Sequence, residues 1–467
     1  MQPAKSLISA SSNFTMLLLV SIDALGIAIL FNLSHWMIAG DLATDFLLTW
    51  KLSLILGLTF LYFYLMDLYT FDSPFGQLGM LERSFIAIAL TGISVALLVY
   101  IIGPGFIGGF VGRGVLAASL MMMWIWSLSF RYIANLWFVE QRSQIHWLVI
   151  VDDNPSQFLQ DFRKDFHAET VLLLTKDGQL PELTEPLEGN TRLAGAWDNF
   201  DEVIRATPVS GVIVTSLEQV PNELVDRLMN IRIHGTRIYR LSDFYEQYLS
   251  RVPIFHLSQQ WLTTAHGFEL IHNRIGLRFK RYVDVLIALV GGLIVIPLII
   301  ATALLIFFSS GRPIFYRQTR TGENNQPFVC YKFRTMIETA EENGIQFAAI
   351  DDPRVIPFGK WLRKYRLDEL PQLWNVLRGE MSFIGPRPER PEFIQSLEQQ
   401  IPFYNLRHTV KPGITGWAQV MYGYGDTEID AAQKLQYDLF YIKNYSLLLD
   451  ISILIKSVKV ILFGTGR

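Results

Sequence analysis

Residues 366–389, RLDELPQLWNVLRGEMSFIGPRPE, combine a helix signal with an unusual set of charged side chains. Apolar residues recur at helical spacing: Leu370, Leu373, Trp374 and Leu377. Gly379 is a typical helix stop, and Pro371 is tolerated only in a first turn. The stretch therefore predicts a short helix with Asp368 and Glu369 at its N-terminus, where the helix dipole favours ionised carboxylates.

The acidic pair has a structural and a functional interpretation. Acidic residues are common in the first turn of a helix because of the dipole alone. In the functional interpretation, an ionised Asp368 attacks phosphorus, or Asp368 and Glu369 hold Mg²⁺ through their oxygen atoms. The side chains around the pair are needed to distinguish the structural from the functional interpretation.

Basic side chains lie on both sides of the pair. The run FVCYKFRTM (328–336) predicts a strand whose alternation places Lys332 and Arg334 on one face, suited to a diphosphate. Three prolines in GPRPERPEF (385–393) stiffen the chain around Arg387. A solvated strand face and a proline-rich connection are the alternatives. Together, two acids and several cations suit phosphoryl transfer better than the separate alternatives do.

Composition indicates a membrane protein with an apolar N-terminal part. Hydrophobic residues make up 51% of the 467 residues, and the first 144 residues hold only thirteen Asp, Glu, Lys or Arg. Four apolar segments of membrane-spanning length are predicted near 13–36, 47–70, 84–106 and 114–138. The run after Lys5 lacks a short cleavable signal, which favours an uncleaved anchor. We therefore predict a four-helix transmembrane anchor over 1–144.

The few charges that flank these segments predict their orientation. Lys5, Arg83 and Arg142 fall on one side, Arg113 falls on the other, and Lys51 is ambiguous. The positive-inside rule then favours a cytoplasmic N-terminus and a cytoplasmic chain from 142 onward. The net charge of −3 does not suggest bulk nucleic-acid binding, and a single cysteine excludes an intramolecular disulfide.

Residues 145–270 predict a central α/β domain of Rossmann-like type. Short apolar runs resemble buried parallel strands: HWLVIV, VLLLT, GVIVTS and TRIYRL. PSQFLQDFRKDF and NELVDRLMNIRIHG resemble the helices between them. The first strand continues as VIVDDNPSQ, with no glycine to admit a pyrophosphate. A structural or regulatory domain without a dinucleotide is favoured, and a dinucleotide site is the alternative.

The third predicted domain, 271–467, opens with a fifth apolar run over 282–308. Arginine and lysine flank both ends of this run, so both ends are predicted on the cytoplasmic side. Pro297 lies near the middle and removes a helical hydrogen bond. These features predict a re-entrant membrane hairpin that bends at Pro297, with an ordinary kinked span as the alternative. The C-terminal segment SLLLDISILIKSVKVILFG predicts a helix against the membrane surface, or a core helix.

Residues 275–467 resemble the bacterial polyprenyl-phosphate hexose-1-phosphate transferases that start exopolysaccharide and O-antigen synthesis. The resemblance rests on the hairpin proline and on five ordered stretches: FYRQTRTG, YKFRTM, LRKYRLDELPQLWNVLRGEMSFIGPRPERPEF, KPGITGWAQV and KLQYDLFYIKNYSLLLD. The ERPEF and RHTVKPGITGWAQVMYGYG stretches are most similar to the branch associated with exosortase systems. Many small members have serine before the hairpin proline, whereas this chain has Ile296, so Pro297 alone must set the break.

The resemblance implies ping-pong transfer by a mainly α, monotopic catalytic domain. Asp368 matches the nucleophile, Glu369 matches the acid that supports Mg²⁺, and Arg387 matches an arginine that faces substrate phosphate. Three further basic residues match the family's phosphate-binding positions: Lys332, Arg334 and Arg363.

The expected substrates are a UDP-hexose and undecaprenyl phosphate at the cytoplasmic face of the bacterial inner membrane. UMP is released, and the lipid-linked sugar enters exopolysaccharide synthesis. The sequence leaves open the hexose and the oligomeric state, with a homodimer as one expectation for members with such anchors. Two alternatives stand beside this transferase. One is a multi-span lipid-phosphate transferase, and the other is a membrane-anchored regulatory or binding subunit of a polysaccharide complex.

Overall fold

The chain forms two compact units in a computed structural model, Met1–Arg240 and Leu241–Arg467. The structure describes these residues: 12–40, 50–66, 68–69, 80–102, 113–143, 145–152, 154–166, 169–179, 190–257, 265, 267–268, 274–341, 352–423, 425 and 427–463. Lys5 and the side chains of Lys51 and Arg142, which entered the predicted orientation, lie outside the described part. That orientation therefore stays a prediction.

Four apolar helices open the first unit, as the hydropathy predicts. They are α1 (Ser12–Ala39), α2 (Trp50–Leu65), α3 (Met80–Ile102) and α4 (Arg113–Ser143). Three of them contain stretches long and apolar enough to cross a membrane: Leu17–Ile38, Leu81–Tyr100 and Arg113–Ala134. Helix α2 has 16 residues, which is about 24 Å of helix and shorter than a bilayer core.

One ion pair is buried among these helices. Arg131 of α4 and Asp23 of α1 are each 1% exposed, and Arg131 Nη2 lies 2.6 Å from Asp23 Oδ2. The guanidinium also donates to Asp23 Oδ1 at 3.1 Å, to the Leu68 carbonyl at 3.0 Å and to Ser127 Oγ at 2.8 Å. It lies 4.8 Å from the Phe63 ring centroid. Charged and polar partners thus surround the arginine on several sides.

A five-stranded parallel sheet follows the helices in the first unit. Its strands are β1 (His146–Ile150), β2 (Thr170–Thr175), β3 (Thr191–Ala196), β4 (Gly211–Val214) and β5 (Arg237–Arg240). The spatial order is β3-β2-β1-β4-β5, and every pairing is parallel. The four predicted strands are confirmed. Strand β3 was missed because its sequence, TRLAGA, lacks a run of branched apolar residues.

Three helices connect strands of this sheet. They are α5 (Ser156–Asp165), α6 (Phe200–Ala206) and α7 (Asn222–Ile233). The central strands are buried on both faces, with Val149 and Ile213 at 0% exposure. Such burial explains the continuous apolar runs of β1 and β4. The apolar runs thus predicted the parallel sheet correctly, and the amphipathic segments predicted two of its connecting helices.

The second unit is mainly helical, with two small sheets. Its helices are α8 (Leu241–Phe244), α9 (Arg274–Ser310), α10 (Gly359–Lys364), α11 (Gln372–Arg378), α12 (Pro391–Gln400), α13 (Trp417–Met421), α14 (Glu428–Lys443) and α15 (Leu447–Phe463). Strands β6 (Phe315–Thr321) and β7 (Pro327–Phe333) are antiparallel, and β8 (Ser382–Ile384) and β9 (Gly413–Thr415) are parallel. Val252 and Ile254 pack into the main core of this unit, although the predicted domain boundary lies at 270.

Helix α9 contacts the rest of its unit near both of its ends. Toward its N-terminus, Lys280 pairs with Asp450 at 3.0 Å, and Asp284 accepts a hydrogen bond from Ser382 Oγ at 2.8 Å. Toward its C-terminus, Ile306 packs into a cluster of apolar residues, namely Phe333, Ile356 and Leu362. Pro297 lies inside this single helical segment.

The middle of α9 is apolar and exposed. Leu293 and Ile294 are 71% and 73% exposed. Gly291 and Gly292 have open space where a side chain would stand. The helix therefore has an exposed apolar middle between two ends that contact the rest of the unit.

Candidate active site

The two carboxylates lie in a short 3₁₀ turn, Leu367–Glu369, rather than in the α-helix itself. Arg366 precedes the turn with a left-handed backbone (φ 53°), a conformation that is costly for a residue with a Cβ. Pro371 follows in the N-cap position of α11, and Gly379 (φ 83°) ends that helix as predicted. The turn buries both carboxylates, with Asp368 8% and Glu369 5% exposed.

Glu369 is surrounded by three cations. Arg387 Nη2 donates to its Oε1 at 2.6 Å, and Lys332 Nζ donates to the same atom at 3.0 Å. Arg366 Nη1 lies 3.7 Å from Oε2. Burial raises the pKa of Glu369, but Arg387, Lys332 and Arg366 outweigh it and hold the pKa well below its usual value. Glu369 is therefore ionised and fixed in place.

Asp368 is in a different electrostatic environment. Within the described part of the chain, no group hydrogen-bonds to its carboxylate. Burial raises the pKa of Asp368, and the neighbouring Glu369 carboxylate raises it further, against the opposing charges of Lys332, Arg363 and Arg387. Burial is the largest influence on the pKa of Asp368, which lies in the turn ahead of α11 rather than within that helix. The Asp368 carboxylate is therefore buried without a hydrogen-bond partner among the described residues.

Three of the four predicted phosphate-binding cations come together here. Lys332 reaches the site from β7 and Arg387 from the segment between β8 and α12. The Arg387 side chain is 40% exposed, so a ligand can reach it while it holds Glu369. Arg363, on α10, donates from Nε to Thr335 Oγ1 at 2.8 Å and is close enough to lower the pKa of Asp368.

The structure does not bring Arg334 to the carboxylates. Strand β7 ends at Phe333, so the alternation that would place Arg334 beside Lys332 stops one residue too early. Its guanidinium pairs with Glu338 at 3.0 Å. The other contacts go to backbone carbonyls at the C-terminal end of α9: Ser310, Gly311 and Arg312. Cations stabilise the C-terminal end of a helix, so Arg334 fixes the exit of α9.

Sequence reasoning missed two residues that shape the site. One is Arg366, the third cation beside Glu369, which the basic run LRKYR next to the acids could have indicated. The other is Arg407, which is 4% exposed and donates to the backbone carbonyl of Arg387 at 2.9 Å. Arg407 also lies 2.9 Å from Asp438 of α14. No local pattern joins Arg407 to Asp438, because the two lie far apart in sequence.

The acidic pair is chemically suited to a magnesium ion. Mg²⁺ prefers oxygen ligands and commonly uses one or two carboxylates together with substrate phosphates. Asp368 and Glu369 supply two such carboxylates side by side. Among the described residues, no group of three or more His, Cys, Asp or Glu side chains could hold a metal ion.

Comparisons with known proteins agree with the resemblance. The model of the family described as "Bacterial sugar transferase" matches residues 275–464. An Aeromonas hydrophila protein named UDP-N-acetylgalactosamine-undecaprenyl-phosphate N-acetylgalactosaminephosphotransferase is 43% identical over 229 residues, covering 49% of this chain and 53% of the relative. The Xanthomonas campestris pv. campestris protein named UDP-glucose:undecaprenyl-phosphate glucose-1-phosphate transferase is 37% identical over 242 residues, covering 50% and 48%.

These two matches span about half of each relative's length. A shorter relative is covered almost completely. The exopolysaccharide production protein ExoY of Sinorhizobium fredii is 39% identical over 202 residues, which are 40% of this chain and 87% of that protein. The matched region contains the acidic pair and the cations around it. The chain therefore belongs to the bacterial sugar transferase family.

Proposed function

We propose that this chain is an initiating phosphoglycosyl transferase, which moves hexose-1-phosphate from a UDP-hexose to undecaprenyl phosphate and releases UMP. The observation that carries the proposal is the buried Asp368 carboxylate, which lies next to an ionised Glu369 held by three cations. The names of the relatives, which include undecaprenyl-phosphate transferases of UDP-sugars and exopolysaccharide proteins, support the substrate class.

In the first step, a carboxylate oxygen of Asp368 attacks the sugar-linked phosphorus of the UDP-hexose. A new P–O bond to Asp368 forms, and the bond to the bridging oxygen breaks, so UMP leaves with that oxygen. Lys332 and Arg387 lie where they can bind the diphosphate, and a cation there stabilises charge on the leaving phosphate. Burial favours the attack because it removes water that would solvate the carboxylate.

In the second step, an oxygen of undecaprenyl phosphate attacks the same phosphorus. The bond to Asp368 breaks, the carboxylate is regenerated, and undecaprenyl-diphospho-hexose is formed. Arg363 is the remaining cation beside Asp368 and is placed to meet the incoming phosphate. Both steps transfer the same phosphoryl group, so no further reactant is needed.

Asp368 and Glu369, together with substrate oxygens, would hold Mg²⁺ in this scheme. When bound, the ion would neutralise charge on the diphosphate and favour departure of UMP. The side chains of the site provide the other functions. Glu369 orients Lys332 and Arg387, while Asp368 makes the bond.

The lipid substrate requires the site to lie close to a bilayer, and α9 supports a re-entrant arrangement. Its 37 residues correspond to about 55 Å of helix, far more than one span needs. Both ends contact the same unit, whereas Leu293 and Ile294 in the middle are exposed. A bend at Pro297 would insert this apolar tip into one leaflet and leave both ends at the cytoplasmic surface of the inner membrane.

Helix α15 supports the same placement at the membrane. Five of its exposed residues are apolar: Leu447, Leu448, Ile451, Val458 and Ile461. Its opposite side includes Ile453, which is buried in the core at 0% exposure. The helix therefore has one face for the protein core and an apolar face for lipid, and it combines both predicted roles.

The experiment that tests the function is release of UMP by the detergent-purified protein. UDP-glucose, UDP-galactose and their N-acetylated forms are compared, each with and without undecaprenyl phosphate and Mg²⁺. We expect repeated turnover that depends on lipid and metal and is lost in Asp368→Asn, whereas without the lipid each protein molecule should release no more than one UMP. The exposed Asp226→Asn, the same chemical change in the first unit, serves as the matched control and should retain full activity.

A folded protein that releases UMP from none of the four sugars would contradict the proposal. That result would favour the alternative of a membrane-anchored regulatory subunit of a polysaccharide complex. In that case, Asp368→Asn would restore polymer synthesis in a deletion strain as well as the unaltered protein does.

A further inference from the structure

Asn375 is a buried polar residue with no role in the two chemical steps. It lies on α11, and its exposed fraction is 0%. Its Oδ1 accepts a hydrogen bond from the backbone N–H of Tyr331 at 3.1 Å. Its Nδ2 donates to the carbonyl of Val329 at 2.7 Å and to Glu380 Oε2 at 2.7 Å. The carboxamide therefore uses its oxygen and its nitrogen together.

Two of these bonds reproduce the pairing of a β-strand. Strand β7 pairs with β6 on one side, in a sheet of two strands. The N–H of one residue and the C=O of the residue two positions earlier point to the same edge of a strand. Asn375 binds this pair of groups at Tyr331 and Val329, so its carboxamide takes the place of a third strand. An unpaired strand edge next to a buried site would leave those backbone groups unsatisfied.

The strand that Asn375 holds is the one that carries Lys332. Lys332 follows Tyr331 directly, and its Nζ lies 3.0 Å from Glu369 Oε1. Asn375 itself belongs to α11, which begins just after the turn with Asp368 and Glu369. A single side chain therefore ties the strand that bears the cation to the helix that follows the acids.

We propose that Asn375 is a positioning residue for phosphoryl transfer, and that it sets the distance between Lys332 and the acidic pair. This inference rests on the proposed function for its kinetic part. Shifting Lys332 by a fraction of an ångström would move the positive charge away from the place where the leaving phosphate develops its charge.

A double-mutant cycle separates positioning from general stability. Asn375→Ala removes all three hydrogen bonds and leaves buried groups unsatisfied. We expect it to lower kcat for UMP release about 30-fold in the otherwise unaltered protein, but less than about threefold when Lys332 is already replaced by alanine. A residue that only stabilises the fold would cause the same loss in both backgrounds. Equal losses would overturn the proposal.

The native cysteine provides a test that needs no activity. Cys330, the only cysteine of the chain, lies between Val329 and Tyr331 on β7 and is 1% exposed. If Asn375 holds this strand, Asn375→Ala should increase the rate of Cys330 labelling by a maleimide about tenfold or more under native conditions. The matched control is Asn405→Ala, because Asn405 is exposed and forms only a 3.5 Å contact with Asn325.

Labelling and kinetics together test two claims: that Asn375 fixes strand β7, and that it positions Lys332 for catalysis. Faster labelling in Asn375→Ala with a non-additive cycle supports the positioning role. An unchanged labelling rate overturns it, whatever the kinetics show. If no protein releases UMP from any UDP-sugar, the proposed function fails, and the labelling rate alone decides whether Asn375 fixes the strand.

Discussion

Both units of the molecule pair an arginine with a buried carboxylate at the same distance, yet the two sites differ in the groups that surround the pair. In the first unit, Arg131 and Asp23 lie 2.6 Å apart and each is 1% exposed. In the second unit, Arg387 and Glu369 also lie 2.6 Å apart. The first is a closed pair, in which Arg131 contacts both oxygens of Asp23. The second stands beside an additional carboxylate, Asp368, for which the described residues supply no hydrogen bond.

This difference distinguishes an ion pair that only stabilises the fold from an ion pair that lies beside the proposed nucleophile. A buried pair with satisfied partners holds elements together, and removing one partner leaves an uncompensated charge. A buried carboxylate without hydrogen bonds costs free energy in the resting protein and is available for a bond to substrate. Breaking the Arg131–Asp23 pair should therefore reduce stability without affecting catalysis. Neutralising Asp368 should abolish catalysis and increase stability.

The largest expected effect is the loss of activity in Asp368→Asn. The amide cannot form the bond to phosphorus, and removing a nucleophile costs about 10³-fold or more in kcat. The measurement is UMP release under saturating substrate. Activity within tenfold of the unaltered protein would show that Asp368 is not the nucleophile.

The same variant should be more stable. The pKa of Asp368 is raised in the folded protein, so its stabilising contribution is complete below the unfolded pKa and is lost as the pH rises through the folded pKa. At neutral pH the ionised carboxylate therefore reduces stability, and asparagine removes that cost. The melting temperature in detergent at pH 7.5 should rise, and a fall would contradict the assigned environment of Asp368.

The second effect concerns the helical pair of the first unit. Asp23→Asn leaves the buried Arg131 charge uncompensated, which should lower the free energy of unfolding by about 3–5 kcal/mol. The measurement is denaturant unfolding of the purified protein. Replacing both residues with leucine should recover most of the loss, and the kcat of the folded fraction should stay within about twofold of normal.

The third effect tests the geometry of the reactive pair. Arg387→Lys keeps the charge but loses the planar fork that meets Glu369 and a phosphate together, so kcat should fall by about 10- to 100-fold. Arg227→Lys is the matched control, because Arg227 forms an exposed pair with Asp201 at 3.6 Å. Equal activities of the two variants would mean that Arg387 acts only as a point charge.

The smallest effect is a pH dependence of stability at the Arg407–Asp438 pair, whose arginine contacts the backbone of Arg387. Burial raises the pKa of Asp438 to about 6, although Arg407 opposes this. The protonated form is thus favoured in the folded protein, and this stability is lost as the pH rises from about 4 to about 6. The stability of Asp438→Asn relative to the unaltered protein should therefore increase as the pH rises from about 4 to about 6, as measured by thermal unfolding. A stability difference between the two proteins that does not change with pH would contradict the raised pKa of Asp438.

Local patterns were sufficient to predict the elements that carry the site. Alternation and the stop at Gly379 placed Lys332 on a strand and the acids ahead of α11. The prolines correctly marked Arg387 as a presented cation. Apolar runs predicted the N-terminal helices and four of the five strands in the parallel sheet. These features depend on residues that are close in sequence, so a local pattern can predict them.

Contacts between distant segments could not be predicted in this way. Arg334 turns to the end of α9 because β7 stops at Phe333, and the point where a strand ends depends on its partners. Arg407 donates a hydrogen bond to the Arg387 carbonyl and pairs with Asp438 of α14. These contacts depend on how α14 packs, which no local pattern shows. The raised pKa of Asp368 likewise depends on burial, which the sequence did not reveal.

The central claim is that Asp368 carries the phosphosugar between the two substrates. The most direct measurement is mass spectrometry of the protein after incubation with a UDP-sugar and Mg²⁺ in the absence of undecaprenyl phosphate. We predict one hexose phosphate attached to the peptide that contains Asp368, with an equal amount of UMP released, and loss of the adduct when the lipid is added. UMP release that requires both substrates, without any adduct on Asp368, would contradict the claim and indicate direct transfer.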